Sequence, residues 1–279
     1  HYFCTMFYKF MRTSLLSVFA LLLLSSCSHY QKLLKSDDAP AKYAMADSLY
    51  KQGKYKKSLK LMEQIVPVYR GKPQAEPLMF RYANTFFNLE DYYLAGYQFE
   101  RFEASYPKSD SVEVAAFKSA KSYYELSPRY SLDQTDTYTA LEKLQAFINK
   151  YPDSEKMADA NTLVRELRGK LEKKDYEVAK QFLRISDFKA SIAAYDNFIA
   201  DHPGSIYRKD AFYERSEAAY LLAINSVPQK VEGRLKEAKI YHQSFMKYYS
   251  DSDRREDADE LINNIDKRLT QPEASALNQ

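Results

Sequence analysis

The sequence predicts an all-α chain of stacked helix hairpins, on three observations. Helix breakers are scarce, with 6 Gly and 10 Pro in 279 residues against 25 Tyr and 16 Phe. A stripe also recurs: Ser58, Ala95, Ala140, Ser191 and Ala238 each precede an apolar residue by seven positions (Ile65, Phe102, Phe147, Phe198, Phe245), with Met62, Phe99, Leu144, Tyr195 and His242 between. An i, i+4, i+7 stripe with a small first member lets a neighbouring helix approach closely at one end and pack bulk lower down. Finally, one phrase closes four amphipathic runs: Phe102-x3-Tyr106-Pro107-x-Ser109, Phe147-x3-Tyr151-Pro152-x-Ser154, Phe198-x3-His202-Pro203-x-Ser205 and Phe245-x3-Tyr249-Ser250-x-Ser252. Proline cannot continue a helix, and the serine suits the N-cap of the next one.

Upstream, Ala46, Ala83 and Ala179 each lie twelve residues before their small partner, with Tyr50, Phe86, Phe87 and Phe182 three or four positions on. That spacing describes a helix, a short turn and an antiparallel second helix. Tyr50–Leu59 and Phe86–Ala95 resemble the core of a tetratricopeptide repeat, and their offset of 37 residues is near the motif's period of about 34. The chain departs from the motif in having no Trp, and in carrying Gly at the inter-helix turn only at Gly53; the other turns read Asp91-Tyr92 and Asp187-Phe188.

Two repeats are stretched, since Ala120 to Ala140 and Ala218 to Ala238 each span twenty residues. Each surplus holds a proline (Pro128, Pro228), which predicts long turns at Ser127–Thr135 and Asn225–Gly233. The 27 residues between Pro152 and Ala179 leave room for an extra helix, Glu155–Gly169. The run Arg255–Leu269, with Leu261, Ile262, Ile265 and Leu269, reads as the polar-faced cap that a solenoid requires. The expectation is a tetratricopeptide-like α-solenoid of five hairpins, an extra helix after the third, and a C-terminal capping helix. Residues 40–152 hold the N-terminal repeats and 153–270 the C-terminal ones.

Ahead of the repeats, Lys9 and Arg12 precede the apolar run Leu15–Leu24, the order of a secretory signal peptide and too short for a membrane span. Leu24-Ser25-Ser26-Cys27 resembles the lipobox of bacterial lipoproteins. On that reading residues 1–26 are the leader, Cys27 is acylated and becomes the mature N-terminus, 27–39 form a tether, and 271–279 are a disordered tail. The alternative is an ordinary signal peptide with an incidental cysteine. His1 is not an initiator, so Met6 and Met11 are the expected starts, and Cys4 falls in the doubtful stretch. Two or more acyl chains, at about 0.8 kcal/mol per buried CH₂, hold a protein firmly to a membrane.

Removing the leader leaves 39 basic against 38 acidic side chains, a balance that gives no argument for nucleic acid. The mature histidines His29, His202 and His242 lack metal-ligand spacing to one another or to a cysteine. No phosphate-cradling glycine loop or G-x-S-x-G elbow is present. Acid pairs such as Asp37-Asp38 and Glu256-Asp257 fall at helix starts, where carboxylates complement the helix dipole. No enzymatic activity, metal or cofactor is expected.

The inner surface of stacked hairpins is lined mainly by first helices. The repeat register places Tyr43, Asp47 and Tyr50, then Phe80, Asn84, Phe87 and Asn88, then Phe117, Lys121 and Tyr124 on that surface. An aromatic groove with amides and one lysine suits an extended peptide carrying aromatic side chains; for any single ring, inter-repeat core is the competing reading. Lys189, Lys209 and Arg215 are expected to meet a partner's acids, against the alternative of solvated helix faces.

An acyl-anchored chain of five such pairs, with Y-P-x-S repeat ends and an extra helix after the third pair, resembles the BamD family, lipoproteins of the outer-membrane β-barrel assembly machinery. The resemblance implies a lipid-anchored subunit on the periplasmic side of the outer membrane. It would dock through its C-terminal repeats onto a POTRA domain of a BamA-like barrel protein. Its N-terminal repeats would receive unfolded outer-membrane precursors through aromatic-rich C-terminal segments, usually ending in Phe. Other readings stay open: a lipid-anchored scaffold for cell-wall enzymes or for pilus and secretin assembly, a lipoprotein enzyme, or a surface-exposed lipoprotein.

Overall fold

The computed structural model describes residues 29–270, so the leader, Cys27 and the tail 271–279 lie outside the described residues. Twelve helices follow one another: α1 (residues 29–35), α2 (Ala39–Lys51), α3 (Tyr55–Tyr69), α4 (Ala75–Asn88), α5 (Tyr92–Ser105), α6 (Val112–Leu126), α7 (Thr135–Lys150), α8 (Met157–Arg184), α9 (Phe188–Asp201), α10 (Arg208–Ile224), α11 (Pro228–Tyr249) and α12 (Arg255–Thr270). The fold is all-α and tetratricopeptide-like, with five hairpins from α2/α3 to α10/α11 and α12 as the cap. The chain forms two compact units, one reaching to Leu126 and including Thr139–Ala160, the other comprising Ser127–Tyr138 and the residues from Asn161 on.

All five small stripe residues are fully buried, and so are Ala46, Ala83, Ala120, Ala179 and Ala218 of the first helices. Where the small residue is serine, its hydroxyl donates to the carbonyl twelve residues earlier: Ser58 Oγ to Ala46 O at 2.7 Å and Ser191 Oγ to Ala179 O at 3.1 Å. A buried hydroxyl without a partner costs about 1–3 kcal/mol, so this bond is what makes serine and alanine interchangeable at the crossing. The first unit packs Leu61, Met62 and Ile65 against Leu49 and Leu78, then Phe86, Phe99 and Phe102 against Ala115. The expected tether contributes to this core, because α1 buries Tyr30 and Leu33, and the Tyr30 hydroxyl donates to Lys57 O at 3.0 Å. In the second unit Tyr195, Phe198, Leu235, Phe245, Leu261 and Ile265 form one cluster.

The phrase serines stand one turn ahead of the helix that follows, not at its cap. Ser109, Ser154 and Ser205 accept from the backbone N–H two residues on, at 3.1, 3.0 and 3.2 Å. Ser109 and Ser154 also donate to Glu76 and Glu113, which open the first helix of the preceding pair. The phrase therefore ties one repeat to the last as well as turning the chain.

Two expectations are corrected. The extra helix Glu155–Gly169 and the first helix of the fourth pair are one continuous helix, the 28-residue α8. A lone glycine costs about 1 kcal/mol in a helix interior without ending it, and no proline lies between Met157 and Arg184. The turn expected over Asn225–Gly233 is only three residues long, since α11 starts at Pro228. Proline is pre-organised for the first helical position, where its missing N–H is no loss. The other long turn, before α7, stands as expected.

Asp38, Asp91 and Asp187 cap α2, α5 and α9 by accepting from Ala41 N, Leu94 N and Ala190 N. The turn marked by Gly53 (φ +71°) recurs without glycine, for Glu90 and Ser186 hold φ of 62° and 63°. No atom lies within 4 Å of a Cβ built on Gly53, so any penalty there is a backbone one. Gly53→Ala should cost about 1–2 kcal/mol. Ser186→Gly should gain less than about 1 kcal/mol, since glycine is freer in the unfolded chain. Chemical denaturation of the two variants checks both signs.

His242 occupies the stripe position held by Phe99 and Tyr195, buried between α11 and α12, and its Nε2 has no hydrogen-bond partner among the described residues. Burial holds its pKa below the ordinary 6.5, against the opposing pull of a backbone bond at Ala258 and the charges of Asp259 and Asp266, while Arg255 adds to the lowering. A depressed folded-state value means that the unfolded chain takes up the proton first. The stability His242 supports is therefore present above about pH 6.5 and lost as pH falls further. The Tm should drop between about pH 7.5 and 5.5, and His242→Phe should flatten that dependence.

Candidate functional site

In the first unit, α2, α4 and α6 are the first helices of three successive hairpins, and their polar residues meet in a repeating pattern. Arg81 of α4 reaches back to Asp47 of α2, forming an ion pair, and its guanidinium lies 5.7 Å from the Tyr43 ring centroid. Lys118 of α6 reaches back in the same way and donates to Asn84 Oδ1 of α4. Each pair is separated by 34 residues, and the two cations stand 37 apart in the sequence. One hairpin thus sends a cation back to a polar residue of the hairpin before.

Asn84 is almost wholly buried, and its Nδ2 donates to Phe80 O at 3.1 Å, which fixes the amide with its oxygen toward Lys118. The Lys118 ammonium lies 5.5 Å from the centroid of Phe87 and 6.0 Å from that of Phe99, and Lys121 lies 6.0 Å from Phe87. Burial, with the neighbouring Lys121 charge, holds the Lys118 pKa below the lysine range. Asp47 is shared, since Lys51 also pairs with it at 2.8 Å. None of the ion pairs among the described residues uses Lys118 or Lys121. At the other end of this face, Tyr50 packs edge-on to Tyr55 at 5.5 Å. Burial raises the Tyr50 pKa, aided by Tyr55 and opposed by a hydrogen bond with Asn88 and the charge of Arg81.

The expected groove residues divide accordingly. Asp47, Tyr50, Asn84, Phe87, Asn88 and Lys121 share the polar-aromatic face, and Tyr124 is half-buried one turn beyond Lys121. Phe80 and Phe117 belong to the core inside their own hairpins, because Phe80 packs edge-on to Phe99 and Phe102 of α5 while Phe117, itself buried, packs on Phe147 of α7 at 5.4 Å. Tyr43 leans on Tyr69 at 5.3 Å and is partly core. Arg81 and Lys118 were not foreseen; both lie one turn before a groove position, and cations spaced by the repeat were the available signal.

The docking lysines and arginine fare differently. Lys189 is exposed. Lys209 pairs with Asp253 at 2.6 Å. Arg215 is buried rather than presented to a partner, because it pairs with Asp196 at 2.6 Å while its guanidinium lies 5.0 Å from Phe212 and 4.5 Å from Tyr241. Its aromatic neighbours cover the side chain, which is why it cannot serve as a surface cation.

A second polar cluster centres on the buried Glu214, whose Oε2 accepts from Tyr176 at 2.8 Å and Tyr195 at 2.6 Å, while Lys180 lies 3.3 Å from Oε1. Desolvation and that carboxylate push both tyrosines far above their ordinary range. Burial and the Glu214 charge raise the pKa of Glu217 next to it. Among the described residues no group of three or more His, Cys, Asp or Glu could hold a metal, and no helix is long and apolar enough to cross a membrane.

Comparison with known proteins places the chain. The model of the family described as "YfiO: Outer membrane lipoprotein" matches residues 35–232. A protein of Caulobacter vibrioides described as "Outer membrane protein assembly factor BamD" is 26% identical over 126 residues, 45% of this chain. The chain spans only 41% of that relative's length. A Rickettsia prowazekii protein of the same description is 24% identical over 193 residues, covering 66% of this chain and 76% of its own. A solved kinesin light chain from Podosopora anserina with TPR-like repeats covers 84% of this chain and 96% of its own at 12% identity and a TM-score of 0.32.

Proposed function

This chain belongs to the YfiO family of outer membrane lipoproteins, and from that membership we propose that it is a non-enzymatic assembly adaptor, anchored through an acylated Cys27 on the periplasmic side. Its N-terminal unit receives extended segments of unfolded outer-membrane proteins. Its C-terminal unit docks a BamA-like barrel protein through a periplasmic POTRA domain. The observation that carries the reading is the face formed by α2, α4 and α6. It presents half-buried rings (Tyr50, Phe87) beside a buried amide and two cations without carboxylate partners. Rings and unspent hydrogen-bonding groups in one groove suit an extended polypeptide.

The grip is weak by its nature. Ordering a disordered segment offsets about 2–5 kcal/mol of the contact energy, which suits a segment that must be handed on. On the docking side, Ile185 and Lys189 stand exposed at the α8–α9 turn, an apolar and basic pair for a partner's acidic rim.

Two measurements test the adaptor. A peptide with alternating aromatics and a terminal Phe should bind the purified protein, and the double variant Tyr50→Ala, Phe87→Ala should weaken it several-fold; equal affinity refutes the groove. Pull-down from detergent-solubilised envelopes should recover a large β-barrel protein, whereas recovery of a cell-wall hydrolase or a secretin instead would replace this reading.

A further inference from the structure

The first hairpin breaks a rule that α5 and α9 keep. Lys54, Asp91 and Asp187 hold the same repeat position, four residues before Ser58, Ala95 and Ser191. The two aspartates cap their helices by accepting from Leu94 N and Ala190 N. Lys54 makes no capping bond to α3 and donates instead to Gln52 Oε1 at 2.8 Å. A cation there forgoes the cap and opposes the helix dipole. Folding favours the aspartate, so the lysine answers to something outside the hairpin.

Lys54 is one of a set. Between Asp47 and Glu63 the chain carries five lysines and no acid, and Asp47 is already taken by Lys51 and Arg81. Lys54, Lys56, Lys57 and Lys60 are exposed and enter no ion pair among the described residues. Glu63 lies two turns beyond Lys56 and bears on Tyr82. Asp37 and Asp38 precede α2, whose length of about 20 Å separates them from this turn by more than the screening length of about 8–10 Å. The start of α1 packs on the same turn: the Tyr30 hydroxyl donates to Lys57 O at 3.0 Å, and the Lys57 ammonium lies 5.5 Å from the Tyr30 ring centroid. Lys32 of α1 adds another exposed, unpaired cation. Cys27 precedes Tyr30 by three residues, which span at most about 11 Å.

We propose that the turn between α2 and α3, with Lys54, Lys56, Lys57 and Lys60 and with Lys32 beside it, is a docking surface for the anionic lipid headgroups of the membrane that holds the anchor. The inference rests on the acylated Cys27 of the reading above and goes beyond it. Acyl chains fix the protein to the bilayer, and the lysines fix which end of the first unit faces it. Because Tyr30 and Leu33 are buried in the core, α1 and the lysine turn move as one piece and the anchor cannot swing clear of it. All five cations are lysine. Arginine suits a planar, bidentate partner, whereas compact ammonium groups on flexible stems suit a fluid layer of phosphates.

The chain from residue 28 on, which lacks the acylated cysteine and keeps every described residue, tests this by sedimentation with two kinds of vesicle. One is phosphatidylcholine alone, the other equal parts phosphatidylcholine and phosphatidylglycerol. The chain should bind only the anionic vesicles, and less tightly as salt rises. Lys54→Gln, Lys56→Gln and Lys57→Gln together should weaken binding by about fivefold for each lysine. Lys230→Gln, Lys247→Gln and Lys267→Gln in the second unit should leave it unchanged. Lys54→Asp separates this role from a structural one: restoring the cap should raise the Tm by about 2–4 °C while vesicle binding falls about fivefold or more. Equal binding to the two vesicles, or binding to neither, overturns the surface and points to an acidic protein for these lysines. An equal loss from the second-unit triple variant also overturns it, as the mark of net charge alone. This chain cannot be acylated, so the result is independent of Cys27, whose own test is the acyl mass of the mature N-terminus.

Discussion

Every hairpin depends on one steric constraint: the two helices must approach closely where Ser58, Ala95, Ala140, Ser191 or Ala238 meets the first helix. All five are buried to the last atom, and no larger side chain fits without separating the backbones. Overpacking a filled core costs about 1–3 kcal/mol per site. The close approach at one end sets the splay at the other, where Phe102, Phe147, Phe198 and Phe245 fill the space. The first unit applies the same rule between hairpins, for Gly96 of α5 lies so near Tyr123 of α6 that an added Cβ would stand 3.0 Å from the ring. Small residues determine the geometry, and aromatics then fill what it leaves.

That dependence explains why the fold could be read from the chain. Small-then-large spacing is a linear signal, and five copies of it located five hairpins. What the chain did not reveal is whether a helix stops. Between Gly169 and Tyr176 neither a cap nor a proline is present, so α8 runs on, and only its docked side chains (Leu167, Tyr176, Ala179) show that one helix serves two roles. Pro228 was ambiguous for a related reason, since the same residue punctuates a loop or opens a helix. The left-handed turns at Glu90 and Ser186 were equally hidden, because the closure of the hairpin imposes a conformation that neither residue favours.

The site was legible to a lesser degree, and the misses share a cause. Register assigns a residue to a face but not to a depth. Phe80 and Phe117 occupy groove positions of the repeat yet turn into their own hairpins, where rings from the second helix of the same pair hold them. Arg215 shows the converse, a cation in a stretch of α10 that is buried on both sides of it, from Ala211 to Ala219 with Glu217 alone half-buried. Arg81 and Lys118 escaped because their role is relational. Each matters through the residue 34 positions earlier, and a reading of single repeats does not bring the two together.

The two polar clusters differ in what they leave open. Around Glu214 the account closes: two phenol donors, one ammonium and a carboxylate satisfy one another within 3.3 Å. Removing one partner from such a buried set is costly because it leaves a buried group uncompensated, so the cluster helps hold the second unit together. Around Asn84 the donors outnumber the acceptors. The burial that lowers the Lys118 pKa is an expense that packing alone does not require, since a methionine of similar length would fill the same space. The fold thus tolerates an unneutralised, half-buried pair of lysines in one unit while the buried carboxylate of the other is fully met by its neighbours.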